Sequence, residues 1–208
     1  MELFQRLTTQ AKDKFLKKQI DLNLFTFLFF AILFSKNLIA EELNFKVNEY
    51  LSSINSFSSK FIQSDGIFFE EGYIYIQGDK IRLDYSNPER TLKISKEKGV
   101  YISHELREEE FFSTKKNIVS VFYDIFLNKG FFSSLSPQVG NGQIIYEKHI
   151  KTDPNNVHLK IFFEVKPLLL RKIISKSNND LISISFYDHN YYDIFEKDFF
   201  SFVPIYLD

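Results

Sequence analysis

Cysteine and tryptophan are absent from this chain of 208 residues, methionine occurs once, and glycine only 7 times. Each absence removes a class of chemistry. Without cysteine there is no disulfide framework, no thiolate nucleophile and no cysteine-ligated metal. So few glycines leave no glycine-rich phosphate loop, and neither a G-x-S-x-G elbow nor an H-E-x-x-H pair occurs. The histidines are His104, His149, His158 and His189, and none is spaced as a metal pair. In "SHELREEE" the carboxylates around His104 read as a solvated hairpin. Asp193 and Glu196 in "YDIFEKDFF" read as a surface turn. No catalytic residue, metal or cofactor is assigned, and the chain reads as a non-enzyme, although a dyad assembled across strands would leave no local trace. Charge of one sign is lacking too. The formal net charge is −1, with no basic stripe interleaved with aromatics, so no nucleic-acid partner is expected.

Phenylalanine is what the chain has in abundance, 25 copies, supplying aromatic surface as plain apolar rings. The run Leu24 to Phe34, apolar except for the mildly polar Thr26, would reach about half of a ~30 Å hydrocarbon core at ~1.5 Å per residue. It is short for a spanning helix and suits the apolar region of an export signal. Upstream lie Arg6, Lys12, Lys14, Lys17 and Lys18, and downstream "NLIAEE" offers Ala40 as the residue before cleavage, with a large Leu38 two positions earlier. The expectation is a signal peptide over 1–40, cleaved or retained as an anchor, and a single domain over 41–208.

Helical spacing of Leu43, Val47, Tyr50, Leu51 and Ile54 predicts a first helix ending near "SINSF". Strand signals follow. "YIYIQ" and "IRLDY" flank "GDK", "RTLKIS" and "VYISHE" flank "KEKG", a hairpin whose Gly99 can adopt positive φ, and Pro88 interrupts at "SNPE". "GQIIYEKHIK" and "VHLKIFFEV" flank "TDPNN", and "LLLRKIISK" and "LISISFYDH" flank "SNND". Hairpins in series without intervening helices mean an antiparallel sheet. One interruption, "NIVSVFYDIFLNKG", sets Ile118, Val121, Phe122, Ile125 and Phe126 on one helical face and is expected to end at Gly130. A sheet of about ten strands curls, and helices across its mouth are the economical cover. Alternation gives each strand one wet and one greasy face: Ile81, Leu83 and Tyr85 oppose Lys80, Arg82 and Asp84. Period alone leaves open whether the greasy side is a filled core or a lined cavity.

Two stretches and the chain's end resemble the LolA-type periplasmic lipoprotein carriers. "SINSFSSKFIQ" is similar to their first strand, with Phe61 and Gln63 in the family's Phe-x-Gln. "GYIYIQGDKIRLDY" followed by Asn-Pro is similar to their glycine-led hairpin, and "DIFEKDFFSFVP" to their terminal segment, with Phe200, Phe202 and Pro204 in place. The resemblance spans most of 45–205. It implies an incomplete antiparallel β-barrel of about 10–11 strands whose hydrophobic cavity is covered by lid helices. The implied function is to shield the acyl chains of lipoproteins in the periplasm and move them from an inner-membrane ABC complex towards an outer-membrane acceptor, as a monomer. The implied cavity wall is Phe61, Ile74, Ile81, Leu83 and Tyr85, and the lid face Val121, Phe122, Ile125 and Phe126. The chain departs from the pattern at the hairpin turn, where Gln77 stands in place of an arginine that latches the lid, so Gln77 or Arg82 is the expected latch. Two other readings stand beside it: a periplasmic module on the same half-barrel that senses a lipid or lipoprotein, and a lipid hydrolase.

Overall fold

The computed structural model describes residues 40–115, 118–151, 156–177 and 180–206. The export segment expected before residue 40, and residues 152–155 and 178–179 where turns are expected from the sequence, lie outside them. No helix among the described residues is long and apolar enough to cross a membrane.

The compact unit Asn44–Asp208 is built on one antiparallel sheet. Helix α1 (residues 40–53) leads into β1 (Ser56–Ser64), β2 (Phe69–Gln77), β3 (Lys80–Ser86), β4 (Glu89–Ile94), β5 (Lys98–Ser103) and β6 (Glu108–Ser113). Helix α2 (Ile118–Leu127) interrupts, and β7 (Gln138–Gly140), β8 (Gln143–Lys151), β9 (Asn156–Val165), β10 (Leu168–Ser177) and β11 (Asp180–Asn190) complete the sheet. The spatial order is β6-β5-β4-β3-β2-β1-β11-β10-β9-β8-β7. Each half is therefore a meander of consecutive hairpins, and the halves join where β11 returns beside β1. The outermost strands β6 and β7 do not pair with each other, so the barrel is incomplete. Glu108, Glu109 and Glu110 charge one open edge and the other strand is only three residues long, both of which discourage edge-to-edge pairing.

The register explains why alternate residues share a face. Phe61 pairs with Phe186 on one side and Gly72 on the other, and Gly72 pairs with Tyr85. Ile74 opposes Leu83, which opposes Leu92, and Ile81 opposes Ile94. Across the sheet, Ile173 lies between Ile161 and Ile184. This inner face carries most of the core, and α1, α2 and the segment after α2 cover it. Val47 and Leu51 of α1 and Ile54 just after it are buried, and Tyr50 meets Phe163 edge-on at 6.2 Å. Asn44 ties α1 to the far end by donating to Leu135 O at 2.9 Å and accepting from the Tyr146 hydroxyl at 2.9 Å. Phe132 stands against Tyr146 and Phe163.

On the outer face the two halves differ. Residues 195–206 form a strap over β2–β6. Tyr75 meets Phe195 and Phe199, Lys93 Nζ donates to Ser201 O at 2.7 Å, and Glu109 accepts from the backbone N–H of Ile205 and Tyr206. The strap is why Val100 and Ile102, which point away from the helices, are nevertheless buried.

Two expectations about glycine change. Gly99 is not at positive φ; it sits in β5 opposite Phe112, whose ring fills the space a Cβ would need. Helix α2 stops at Leu127, before Gly130, because Asn128 makes the turn: its Oδ1 accepts from Gly130 N at 3.0 Å. Gly78 does adopt positive φ, 60°, in the β2–β3 turn.

Candidate functional site: an apolar pocket beneath helix α2

Helix α2 lies over the inner face with an apolar underside. Val121, Ile125 and Phe126 are buried, and Phe126 packs edge-on against Phe186 at 5.9 Å. Between helix and sheet remains a pocket of about 160 Å³. Its wall is drawn from Leu83, Tyr85, Leu92 and Ile94 on one side, Leu159, Ile173, Ile182 and Ile184 on the other, and Val119, Val121, Phe122 and Ile125 above. Leu92 on β4 and Leu159 on β9 are separated by six strand spacings, ~29 Å in a flat sheet at ~4.8 Å each. Both border one small pocket under one helix, so the sheet is curled into a trough.

Polar side chains enter the lining at three places, Gln63, Tyr85 and Ser175. The Tyr85 hydroxyl donates to Gln63 Oε1 at 3.1 Å, and Gln63 Nε2 donates to Glu70 Oε2 at 3.3 Å. Arg90 pairs with Glu70 at 2.6 Å and lays its guanidinium 4.1 Å from the Tyr85 ring centre. Burial against these apolar walls pushes the Tyr85 phenol up to about 12, so it remains a neutral donor throughout the physiological range. Beyond this end of the pocket are the tips of the β1–β2 and β10–β11 hairpins, adjacent because Ser64 pairs with both Phe69 and Ser183. They present Ile67, Phe68 and Phe69, which are 78, 70 and 73% exposed, beside exposed Leu181 and Ile182. Asp65 fixes the first tip by accepting from the N–H groups of Ile67 and Phe68 at 2.9 and 2.8 Å.

Of the expected wall residues, Leu83 and Tyr85 line the pocket. Phe61 stands behind Tyr85, ring centres 5.1 Å apart, and Ile74 and Ile81 are fully buried in the adjoining core. Of the expected lid residues, Val121, Phe122 and Ile125 face the pocket while Phe126 clamps the helix beside it. The expected latch is not formed. Arg82 points to the outer face, where it binds Asp84, donates to Phe199 O at 2.8 Å and lies over the Phe199 ring; it holds the strap and not the lid. Gln77 is exposed and makes no side-chain hydrogen bond among the described residues. Its turn is tied instead to the α1–β1 link, through Gly78 N to Asn55 O at 3.2 Å.

The remaining wall residues, Leu92, Ile94, Ile173, Ile182 and Ile184, were visible in the alternation of their strands but not in any local motif. Arg90 and Glu70 are twenty positions apart and left no sign. The histidines also pair unexpectedly. His149 and His158 stack at 4.3 Å on the outer face of β8 and β9, and Ser59 Oγ lies 3.2 Å from His189 Nδ1. That serine is 1% exposed and donates at 2.7 Å to Tyr187 O, while His189 Nε2 meets Leu170 O at 2.9 Å, so the pair serves buried backbone.

No family model matches the chain, and no curated protein matches it. Solved structures do. An uncharacterized conserved protein from Thermus thermophilus aligns over 74% of this chain and 88% of its own, at 5% identity and a TM-score of 0.49. A DUF1329 family protein from Desulfovibrio piger covers 78% and 98%, at 6% identity and a TM-score of 0.46. The Pseudomonas aeruginosa MucA/MucB complex covers 74% and 59%, at 10% identity and a TM-score of 0.41.

Proposed function

We propose that this protein is a periplasmic carrier that shields the acyl chains of lipoproteins between the inner and the outer membrane, as a monomer and without catalysis. The observation that supports this most is the apolar underside of α2 over a trough that retains unfilled space. A cavity of about 150 Å³ with aliphatic and aromatic walls stays dry and takes a benzene-sized guest. The pocket beneath α2 is of that size, too small for a fatty tail. Cargo must therefore displace α2, and the contacts of Val121, Phe122, Ile125 and Phe126 with the sheet are the kind that acyl methylenes replace in kind. Each methylene removed from water is worth ~0.8 kcal/mol, so a multiply acylated protein cannot cross an aqueous gap uncovered. The lid's own burial offsets part of that gain, and this competition lets the carrier release cargo without a covalent step. Loading from an inner-membrane ABC complex and delivery to an outer-membrane acceptor complete the proposal.

The test is photocrosslinking from positions 122 and 83 to a diacylated lipoprotein, alongside titration with an apolar fluorescent probe. Adducts at both positions and saturable binding are expected. A chain that binds no probe and crosslinks from neither position has a filled core, and the carrier reading fails.

A further inference from the structure

The pocket ends in four polar side chains that an apolar trough does not need. Gln63 and Tyr85 stand in its lining, and behind them Glu70 and Arg90 form an ion pair whose side chains are 27 and 15% exposed. Drawing both charges partly out of water carries a desolvation cost that their attraction need not repay, and well-packed apolar residues commonly do as well or better in such places. Stability therefore gives a weak account of them. Position gives a better one. All four side chains point to the inner face: Gln63 pairs with Glu70 across β1 and β2, and Tyr85 with Arg90 across β3 and β4. They sit at the end beside the exposed hairpin tips, where an alkyl chain lying under α2 would emerge.

We infer that Gln63, Glu70, Tyr85 and Arg90 form a polar collar that binds the ester group joining an acyl chain to its glycerol. This rests on the carrier reading above and names the part of the cargo that it reads. An ester carbonyl only accepts hydrogen bonds, and the collar is rich in donors: the Gln63 amide, the Tyr85 hydroxyl and the guanidinium of Arg90. The Gln63–Glu70 bond, at 3.3 Å, is longer than a well-formed N–H···O bond, so the amide can turn to a carbonyl with little loss. Glu70 holds the guanidinium of Arg90 in place when the pocket is empty. The collar sets the depth of the cargo, with methylenes in the trough, the ester at the collar and the headgroup outside. A plain hydrocarbon gains nothing from it.

Acyl esters come from lipid-anchored proteins and from glycerophospholipids, and the experiment separates them. Three ligands compete against the bound apolar probe: a diacylglyceryl lipopeptide, a short-chain phosphatidylglycerol below its micelle concentration, and an alkane of matched length. Two full-length variants are compared with the natural chain. In Glu70→Leu/Arg90→Met both charges and the guanidinium donors go together, leaving no ion unpaired, and Gln63→Met keeps the side-chain volume while removing the amide. The Glu70/Arg90 variant, behind the lining, should bind the probe and the alkane within about twofold of the natural chain, and in both variants the affinity for an ester ligand relative to the alkane should fall about tenfold, the worth of one to two hydrogen bonds. Loss for both esters assigns the collar to the shared group, whereas loss for the lipopeptide alone shows that it reads some other part of the lipopeptide and overturns the ester assignment. Equal changes for ester and alkane, or none for either ester, overturn the collar and leave the carrier reading standing. A natural chain that fails to bind the probe removes both.

Discussion

Single atoms decide several positions. Gly72 lies on the inner face between Phe61 and Tyr85, whose rings close over it. A Cβ there would stand 2.8 Å from Phe61 Cζ and closer still to the carbonyl oxygen of Asp84, which is backbone and has nowhere to go. Gly72→Ala should lower stability by about 1–3 kcal/mol, the usual result of overpacking a core, read as a shifted urea midpoint with an unchanged slope. His189 carries a pH dependence. Burial, first of all, depresses its pKa below the ordinary 6.5, although bonds to the Leu170 and Tyr187 carbonyls act the other way. The unfolded chain takes up a proton below about pH 6.5 while the folded chain resists, so stability falls as pH drops from about 6.5 towards the folded value. His189→Gln should flatten that part of the curve, measured as denaturant midpoints between about pH 7.5 and 5. An unchanged slope would mean that another group titrates there.

Among elements, α2 and the terminal strap are held in different ways, and their responses should differ. Phe126 anchors α2 against Phe186 from outside the pocket lining. Truncating a buried phenylalanine costs about 3–5 kcal/mol in a rigid core. Phe126→Ala should therefore destabilise the chain yet tighten probe binding several-fold, because less lid burial must be surrendered to open the trough. Weaker probe binding would show that α2 forms part of the site and does not compete with its guest. The strap is fastened by polar contacts as well as by the rings of Phe195 and Phe199 against Tyr75. Lys93, 4% exposed, and Arg82 hold the carbonyls of Ser201 and Phe199 from the outer face. Replacing Lys93 by Met should free the strap locally, increasing limited proteolysis within 195–206 while probe affinity is unchanged. Simultaneous loss of probe binding would couple the two faces of the sheet.

At the scale of the whole molecule, the trough exists because eleven strands curl without closing. A guest that binds only the folded chain stabilises it by RT ln(1 + [L]/Kd), about 2.7 kcal/mol at a hundredfold excess over Kd. A diacylglyceryl lipopeptide should raise the thermal midpoint to that extent in the natural chain, and less in the collar variants at the same concentration. Headgroup alone, without acyl chains, should leave it unchanged.

Much of this was open to reading in the chain. The hairpins, the helix over 118–127 and the greasy faces follow from periods of about 2 and 3.6, which are properties of neighbouring residues. Leu83, Tyr85, Phe122 and Ile125 line the pocket, and they lie on strongly periodic segments, which made their shared faces legible. Arg82 was misplaced as a latch because its neighbours in sequence say nothing of Phe199, 117 positions away, which comes to meet it from the far face. Gly99 was misread for a related reason: Phe112 on the next strand, and not a turn, requires it to be small. The collar was hidden most completely, since its members come from four strands whose order is set by pairing alone. By itself, then, the sequence determined which faces must be buried and where the chain turns, because local periodicity and turn chemistry act over a few residues. Only the tertiary structure decided that the buried faces leave a space under α2, and that polar groups gather at its end. Packing and curvature depend on every strand at once.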